Sequence, residues 1–475
     1  MKYDVFLLTV LVCLSFALAF SAACEPGDDD DDDDDAAGDG TYTVVDTNQT
    51  TCYGEVEPLG CPASGSDYHG QDAQYAGSQP SYADNGDGTV TDERTGLMWQ
   101  QDPGDKQSYD EAVAGAEGFD LAGYTDWRLP TVKELYSLIL FSGEDPSSED
   151  DTAETLTPFI DADIFGFEYG DPDVERVIDS QWATRSIYTS TVFGGDECFF
   201  GVNFADGRIK CYPTSVGKAY FVLYVRDQTS YGKNDFTDNG DGTVNDAATG
   251  LMWQHDDNGT GVEWDQALAY CEDFDGAGYD DWRLPNAKEL ESLVDYSRSP
   301  DATGTAAIDP VFETSAIVNE AGLDDFPYFW TSTTHVKSTG AADSAAYVSF
   351  GRALGLMNGT WMDVHGAGAQ RSDPKSGDPN DYPVGHGPQG DAIRIFNYVR
   401  CVRDGGTGFD NTDGDDGNAG DDDAGPPQEA VDACDGNSES DECAFEGAGG
   451  ETVTGTCEFI GEELACVPEG GPPTD

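Results

Sequence analysis

Two stretches of the chain read almost alike. The first runs Asp84-Asn85-Gly86-Asp87-Gly88-Thr89-Val90 and continues through Thr95-Gly96-Leu97-Met98-Trp99-Gln100. It then reaches Ala122-Gly123-Tyr124-Thr125-Asp126-Trp127-Arg128-Leu129-Pro130 and Lys133-Glu134-Leu135. The second runs Asp238-Asn239-Gly240-Asp241-Gly242-Thr243-Val244, then Thr249-Gly250-Leu251-Met252-Trp253-Gln254. It reaches Ala277-Gly278-Tyr279-Asp280-Asp281-Trp282-Arg283-Leu284-Pro285 and Lys288-Glu289-Leu290. A period of about 155 residues is too long for a solenoid and suits one domain per copy.

Local chemistry predicts the elements of each copy. The Asn-Gly and Asp-Gly steps suit turns that need positive φ. The short β-prone runs around Val90 and Met98 then form a meander. Ser108 and Glu111 stand at capping-box spacing, and Ala112, Val113 and Ala116 share one helical face. The counterpart helix covers 264–274. Arg128-Leu129-Pro130 is extended, because the residue before proline is biased away from helix. Thr131 with Glu134, and Asn286 with Glu289, cap a second helix. Its buried stripe is Leu135, Leu138 and Ile139, matched by Leu290, Leu293 and Val294. Each copy ends in strands, at 188–191, 201–204 and 220–226, matched by 330–333, 347–350 and 395–403. Two helices among many short strands predict an α+β fold. Trp99, Trp127, Trp253 and Trp282 read as core, and Arg128 and Arg283 as partners of buried carbonyls or of Glu134 and Glu289.

These motifs, with the closing pairs Val225-Arg226 and Val402-Arg403, resemble the Lcl C-terminal domain family, named for a bacterial collagen-like adhesin. The resemblance spans 82–228 and 235–404. An Arg-Leu-Pro segment leading into a helix with Glu is also similar to the C-type-lectin-like and sulfatase-modifying-factor folds. The resemblance implies two tandem lectin-like domains and a role in surface binding. The name-giving adhesin is associated with glycosaminoglycans through a basic surface, and this chain departs from that pattern.

Its 475 residues carry 94 Asp and Glu against 22 Lys and Arg, a formal net charge of −72. Such a field repels nucleic acid, anionic lipid faces and sulfated polysaccharide. Self-repulsion is screened as the Debye length falls from about 10 Å at 0.1 M salt to about 3 Å at 1 M. The N-terminus holds a short apolar run at 5–20, followed by Ser21-Ala22-Ala23-Cys24. This suits a signal peptide at 1–23 and lipidation of Cys24, with plain secretion or an uncleaved anchor as alternatives. The aspartate run at 28–35 reads as part of an acidic tether over 24–51, or as a calcium chelator.

Of the 12 cysteines, Cys13 leaves with the signal peptide and Cys24 takes lipid. The remaining ten read as disulfides of an exported chain. Cys52 and Cys61 bracket a short lead-in over 52–81, and Cys198 and Cys211 flank a hairpin. Cys271 and Cys401 align with Ala116 and Tyr224 of the first copy, so both members of that pair are absent together, as a bonded pair would be. Cys434, Cys443, Cys457 and Cys466 form a stapled tail over 432–468, with three connectivities open. The Gly/Asp-rich stretch 405–431 reads as a disordered linker.

Calcium is the first candidate ligand, at Asn85, Asp87 and Asp92 and at Asn239, Asp241 and Asp246. Ala83 and Thr237 stand where an EF-hand needs an acid, and turn chemistry explains the same residues equally well. The second candidate site is an insertion of about 30 residues in the second copy between Met357 and Gly390. It holds Trp361, Asp363, His365, Arg371 and His386, beside Asp373, Lys375 and Tyr382. A loose surface decoration is the bland alternative. No hydrolase, zinc-protease or phosphate-loop pattern occurs. The expected function is therefore non-enzymatic binding at the outer membrane or cell surface, or in the periplasm. Partners would be the membrane, through the lipid, and an extracellular glycan or protein, with no nucleic acid and no cofactor beyond calcium. A structural envelope protein and a sulfatase-modifying type of enzyme are the alternatives.

Overall fold

The computed structural model describes residues 41–147, 151–215, 217–405, 433–434, 442–446, 452–460 and 463–468. Cys24, the aspartate run and the linker after 405 lie outside the described residues. The first copy contains, in chain order, β1 (Tyr82–Asp84), β2 (Thr89–Asp92), β3 (Met98–Gln100), α1 (Tyr109–Ala116) and α2 (Val132–Tyr136). It continues with β4 (Gln181–Trp182), β5 (Cys198–Asn203), β6 (Arg208–Pro213) and β7 (Val225–Arg226). The second contains β8 (Phe236–Asp238), β9 (Thr243–Asp246), β10 (Leu251–Gln254), α3 (Trp264–Glu272), α4 (Ala287–Ser292) and β11 (Tyr328–Thr334). It continues with β12 (Ser344–Ser349), β13 (Leu354–Met357), β14 (Thr360–Asp363), β15 (Gln370–Pro374) and β16 (Val402–Asp404). The fold is α+β, made of small strand-rich sheets with few helices.

The repeated motif explains itself residue by residue. Gly86 and Gly240 take φ of 72° and 74°, which the turn between the first two strands requires. The meander closes with the last strand, giving the antiparallel orders β7-β3-β2-β1 and β16-β10-β9-β8. Arg128 grips Glu134 through two hydrogen bonds of 2.7 Å, and Arg283 grips Glu289 identically. One oxygen of each glutamate also accepts the cap-residue backbone N–H, from Thr131 at 2.7 Å and Asn286 at 2.8 Å. The closing arginines, Arg226 and Arg403, lie over the rings of Tyr124 and Tyr279 at 4.0 and 3.8 Å and pair with Asp126 and Asp281. Trp127 and Trp282 are buried. The most recognisable residues of the repeat thus build its frame.

The copies are tandem but not separate. The chain divides into compact units after residue 407, not between the copies. A six-stranded sheet runs through both, in the order β11-β12-β15-β6-β5-β4. Its two halves are equivalent strands of the two copies, and they meet where Gln370 of β15 pairs antiparallel with Ile209 of β6. Each copy thereby covers the other's open strand edge. The leucine stripes of α2 and α4 enter one shared core, with Leu135, Leu138 and Ile139 beside Leu290, Leu293 and Val294.

The lysine of each Lys-Glu-Leu triplet spans the join. Lys133 Nζ donates to the Ser292 carbonyl at 2.7 Å, at the end of α4. Lys288 Nζ donates to the Ser137 carbonyl at 2.8 Å, just past α2. The exchange is reciprocal, as a two-fold relation demands. Lys133 also reaches the Gly232 carbonyl, and Lys288 the Asp46 carbonyl. Burial pushes the Lys288 ammonium down to about 7.

Several expectations need correction. Residues 41–51 do not continue a tether: Tyr42, Val45, Thr47 and Gln49 are buried, and Gln49 hydrogen-bonds Thr334 on both sides. The strand of the first copy that matches β11 is β4, not 188–191. Arg185 N bonds the Pro130 carbonyl as Ser332 N bonds that of Pro285, which fixes the register. Residues 395–401 are not a regular strand, because Ile395 takes φ 61°. The insertion is split by β15. One part makes the β13–β14 hairpin where the first copy has only the turn at 204–207, and the other covers 375–393.

Disulfides join Cys52 to Cys61, Cys198 to Cys211 and Cys271 to Cys401. The last ties α3 to the residue just before β16. In the first copy the Tyr224 hydroxyl donates to the Ala112 carbonyl of α1 at 2.8 Å and takes over that connection. The separate C-terminal unit contains a three-stranded antiparallel sheet of 442–446, 452–460 and 463–468, with Cys434 bonded to Cys457. Among the described residues no helix is long and apolar enough to cross a membrane.

Asp72 sits buried where the lead-in enters the second copy. Its Oδ2 accepts from Thr333 Oγ1 at 2.5 Å and Thr47 Oγ1 at 2.8 Å. Burial raises its carboxyl to about 7. The folded chain therefore holds a proton there that the unfolded chain has lost above about pH 4. Stability from this group is undiminished below that point and falls as pH rises towards 7. Asp72→Asn removes the fall. The melting temperature of the variant, measured relative to wild type, should climb from pH 4.5 to pH 7 by a few degrees. A constant difference across that window would contradict the assignment.

Candidate functional site

The insertion walls an open groove of about 450 Å³ on the second copy. Trp361 comes from β14 and Tyr382 from the second part of the insertion. Tyr328, Phe396 and Tyr398 come from β11 and the chain leading back to β16. Four of these aromatic side chains face the groove, and Tyr328, buried between Tyr347 and Arg394, lies beneath it. Phe396 is 45% exposed, and Val318 on the same groove is 70% exposed. Exposed apolar surface gathered in one place marks a contact site more than scattered single residues do. The volume lies within the range of small-molecule clefts.

Polar groups stand among the rings. Arg394 lies over the Tyr328 ring at 3.7 Å and holds Glu320 through bonds of 2.9 and 3.1 Å. Asn380 is also on the wall. The groove depends on a strained turn. Ile395 is β-branched yet takes φ 61°, a conformation that costs on the order of 1–3 kcal/mol. Asp373, fully buried on β15, holds it. Its Oδ2 accepts from Arg394 N at 3.0 Å, Ile395 N at 3.1 Å and Asn397 Nδ2 at 3.1 Å. That turn lays Arg394 on Tyr328 and sets Phe396 outward into the groove.

A second, tighter pocket of about 150 Å³ shares Tyr382, Ala392 and Ile393 with the groove. It is lined by charge, including Arg208, Arg371, Lys337 and Asp391. Asp391 accepts from His365 Nε2 at 2.9 Å and pairs with Arg371. Burial, reinforced by Arg371, pushes His365 down to about 4, so it is neutral at pH 7. Arg208 in turn grips Asp145 at 2.7 and 2.8 Å.

The structure divides the five insertion residues singled out by sequence. Trp361 lines the groove, while Arg371 and His386 line the adjoining pocket. Asp363 and His365 are buried supports. Asp363 accepts from the Tyr188 hydroxyl at 2.9 Å and from Gly366 N at 2.8 Å, which pins the insertion onto the first copy. His365 and His386 both meet Asp391, His365 through its buried ring and the exposed His386 through its backbone. Tyr328, Glu320, Arg394, Phe396 and Tyr398 were not singled out by sequence. The only signal for Arg394, Phe396 and Tyr398 was a run of aromatic and charged residues just past the insertion.

The Asn-Gly-Asp-Gly loops do not assemble the calcium ligands expected of them. Asp87 Oδ1 accepts from Thr89 N and Oγ1, and Asp241 does the same with Thr243. Asn85 and Asn239 bond the same threonines. Asp92 and Asp246 are buried at the far ends of β2 and β9, about 10 Å along the strand from the threonines that those loops hold. There they cap the next turn, at Arg94 N and Ala248 N. Among the described residues the one cluster spaced for a metal is Cys434, Cys443 and Cys457, and these sulfurs are in disulfides.

The model of the family described as Lcl C-terminal domain matches residues 88–226 and 242–363, together more than half of the chain. The chain belongs to that family. No curated protein and no solved structure matches it. The match ends at 363, so Asn380, Tyr382, Arg394, Phe396 and Tyr398 all lie beyond it.

Proposed function

We propose that the protein is a non-enzymatic binding protein held at the outside of a cell, and that its groove takes a neutral glycan. The observation that carries this reading is the convergence of four aromatic side chains, Trp361, Tyr382, Phe396 and Tyr398, beside the Arg394–Glu320 pair. Sugar rings present apolar C–H faces that pack on aromatic faces. Their hydroxyls both donate and accept, which suits a carboxylate beside a guanidinium. The acidic field adds selectivity, since neutral sugars are not repelled whereas sulfated or uronate-rich chains are. A C-type-lectin-like arrangement of each copy is part of the proposal, supported by the Arg-Leu-Pro segment that enters a short helix against small antiparallel sheets.

Trp361 and Tyr382 stand in stretches the first copy lacks, so the groove belongs to the second copy alone. Avidity would then come from many molecules on one surface, not from two equal sites in one chain. The small residues before Cys24 support lipidation there as the anchor.

The test is a neutral-oligosaccharide array read with the full mature chain, followed by titration of any hit. Trp361→Ala and Phe396→Ala should each weaken binding at least about tenfold, the equivalent of 1.4 kcal/mol. A hit that survives both substitutions unchanged, or retention on matrix proteins with none on glycans, would overturn the reading. For the anchor, Cys24→Ala should move the protein from the membrane fraction to the soluble one, and no redistribution would contradict lipidation.

A further inference from the structure

The duplication provides an internal comparison of two equivalent clefts. In the second copy the cleft lies over Thr333, whose Oγ1 accepts from Ala287 N at 3.0 Å. In the first copy it lies over Ser186, whose Oγ accepts from Val132 N at 2.9 Å. The second cleft is filled by the chain's own lead-in. Thr333 donates its hydroxyl proton to the Asp72 carboxyl, and Thr333 and Thr334 are fully buried beneath the segment.

The first cleft is open, with a volume of about 400 Å³. Ser186 makes the same bond to the helix start but has no carboxyl to receive its proton. Ile187, equivalent to Thr334, is 46% exposed. Arg185 stands where the second copy has Ser332, and Lys233 lines the same cleft. Among the described residues these are the two basic side chains with neither an ion pair nor a hydrogen-bond partner. In a chain of net charge −72, both line this one cleft. Asp295 and Asp309 are on the wall as well, already accepting from Ser297 N and Val311 N.

We infer that the open cleft is a carboxylate site, which receives an acidic side chain of an extended polypeptide from a partner protein. The occupant's carboxylate takes the Ser186 hydroxyl proton as Asp72 takes that of Thr333. Asp72 sits near the Asp46 and Glu289 carboxylates as well as Lys288, whereas Arg185 and Lys233 line the first cleft with uncommitted positive charge, so the bound carboxylate is ionised. Asp295 and Asp309 favour an occupant that also brings N–H donors, which a polypeptide does and a bare dicarboxylate does not.

The probe is a dye-labelled Gly-Gln-Asp-Ala-Gln peptide, copied from residues 70–74, titrated into the full mature chain by fluorescence anisotropy. Its Asp→Asn counterpart and free succinate are the comparison arms. The expected result is saturable binding of the Asp peptide, at least tenfold weaker with the Asn peptide and with succinate. Arg185→Ser should weaken it about tenfold, and Lys233→Ala should add to that loss. Both side chains are exposed, and an unchanged far-ultraviolet spectrum and melting temperature would confirm that the variants fold. Equal binding of the Asp and Asn peptides, binding indifferent to both substitutions, or no binding at millimolar peptide would overturn the site. Succinate binding as tightly as the peptide would overturn the polypeptide occupant. None of these arms involves Trp361 or the aromatic groove, so the outcome is independent of the glycan reading.

Discussion

Two lysine ammonium groups, Lys288 buried and Lys133 half-buried, each bonded to a backbone carbonyl of the other copy, lock the two copies together. An ammonium withdrawn from water without hydrogen-bond acceptors is costly, so each lysine needs the other copy's carbonyl in place. The neighbouring glutamates fix the geometry by locking each helix start to an arginine on the adjacent extended segment. The closing strand reaches the same arginines through backbone bonds of 2.9 Å, from Val225 and Val402. The Lys-Glu-Leu triplet therefore carries three tasks in three consecutive residues: joining the copies, capping the helix and filling the core.

Much of this was legible in the sequence because it rests on local chemistry. The capping glutamates, the buried tryptophans and the leucine stripe follow from spacing alone. The disulfide between Cys271 and Cys401 followed from two residues missing together in the other copy. What was not legible depended on contacts between distant segments. Nothing local in residues 41–51 shows that they pack between the copies, since their buried polar groups find partners at Phe141 and Thr334. The register of β4 was misread because Tyr188-Thr189-Ser190-Thr191 resembles β11 more closely than the true counterpart does. The groove was half visible. Trp361 lay in the insertion, but Phe396 and Arg394 take their places only through the strained turn at Ile395.

A duplicated frame also separates what is structural from what is particular. Residues that match between the copies build the sheets and the join. Where the copies differ, surface chemistry appears: an aromatic groove on the second copy, and an open, positively lined cleft on the first. The lead-in accentuates that difference by filling one cleft and leaving the other. The acidity of the chain is compatible with both surfaces, because the cations are almost all committed to partners and the few that are free are concentrated.

Hydrogen exchange on the full chain with Lys288→Met tests the central claim most directly. The substitution leaves the Ser137 and Asp46 carbonyls without their donor, at about 1–3 kcal/mol each. If the lysines make the copies one cooperative body, amide protection should fall together in β5 and β6 of the first copy and in β12 and β15 of the second. Loss of protection confined to the second copy, with the first unchanged, would contradict it.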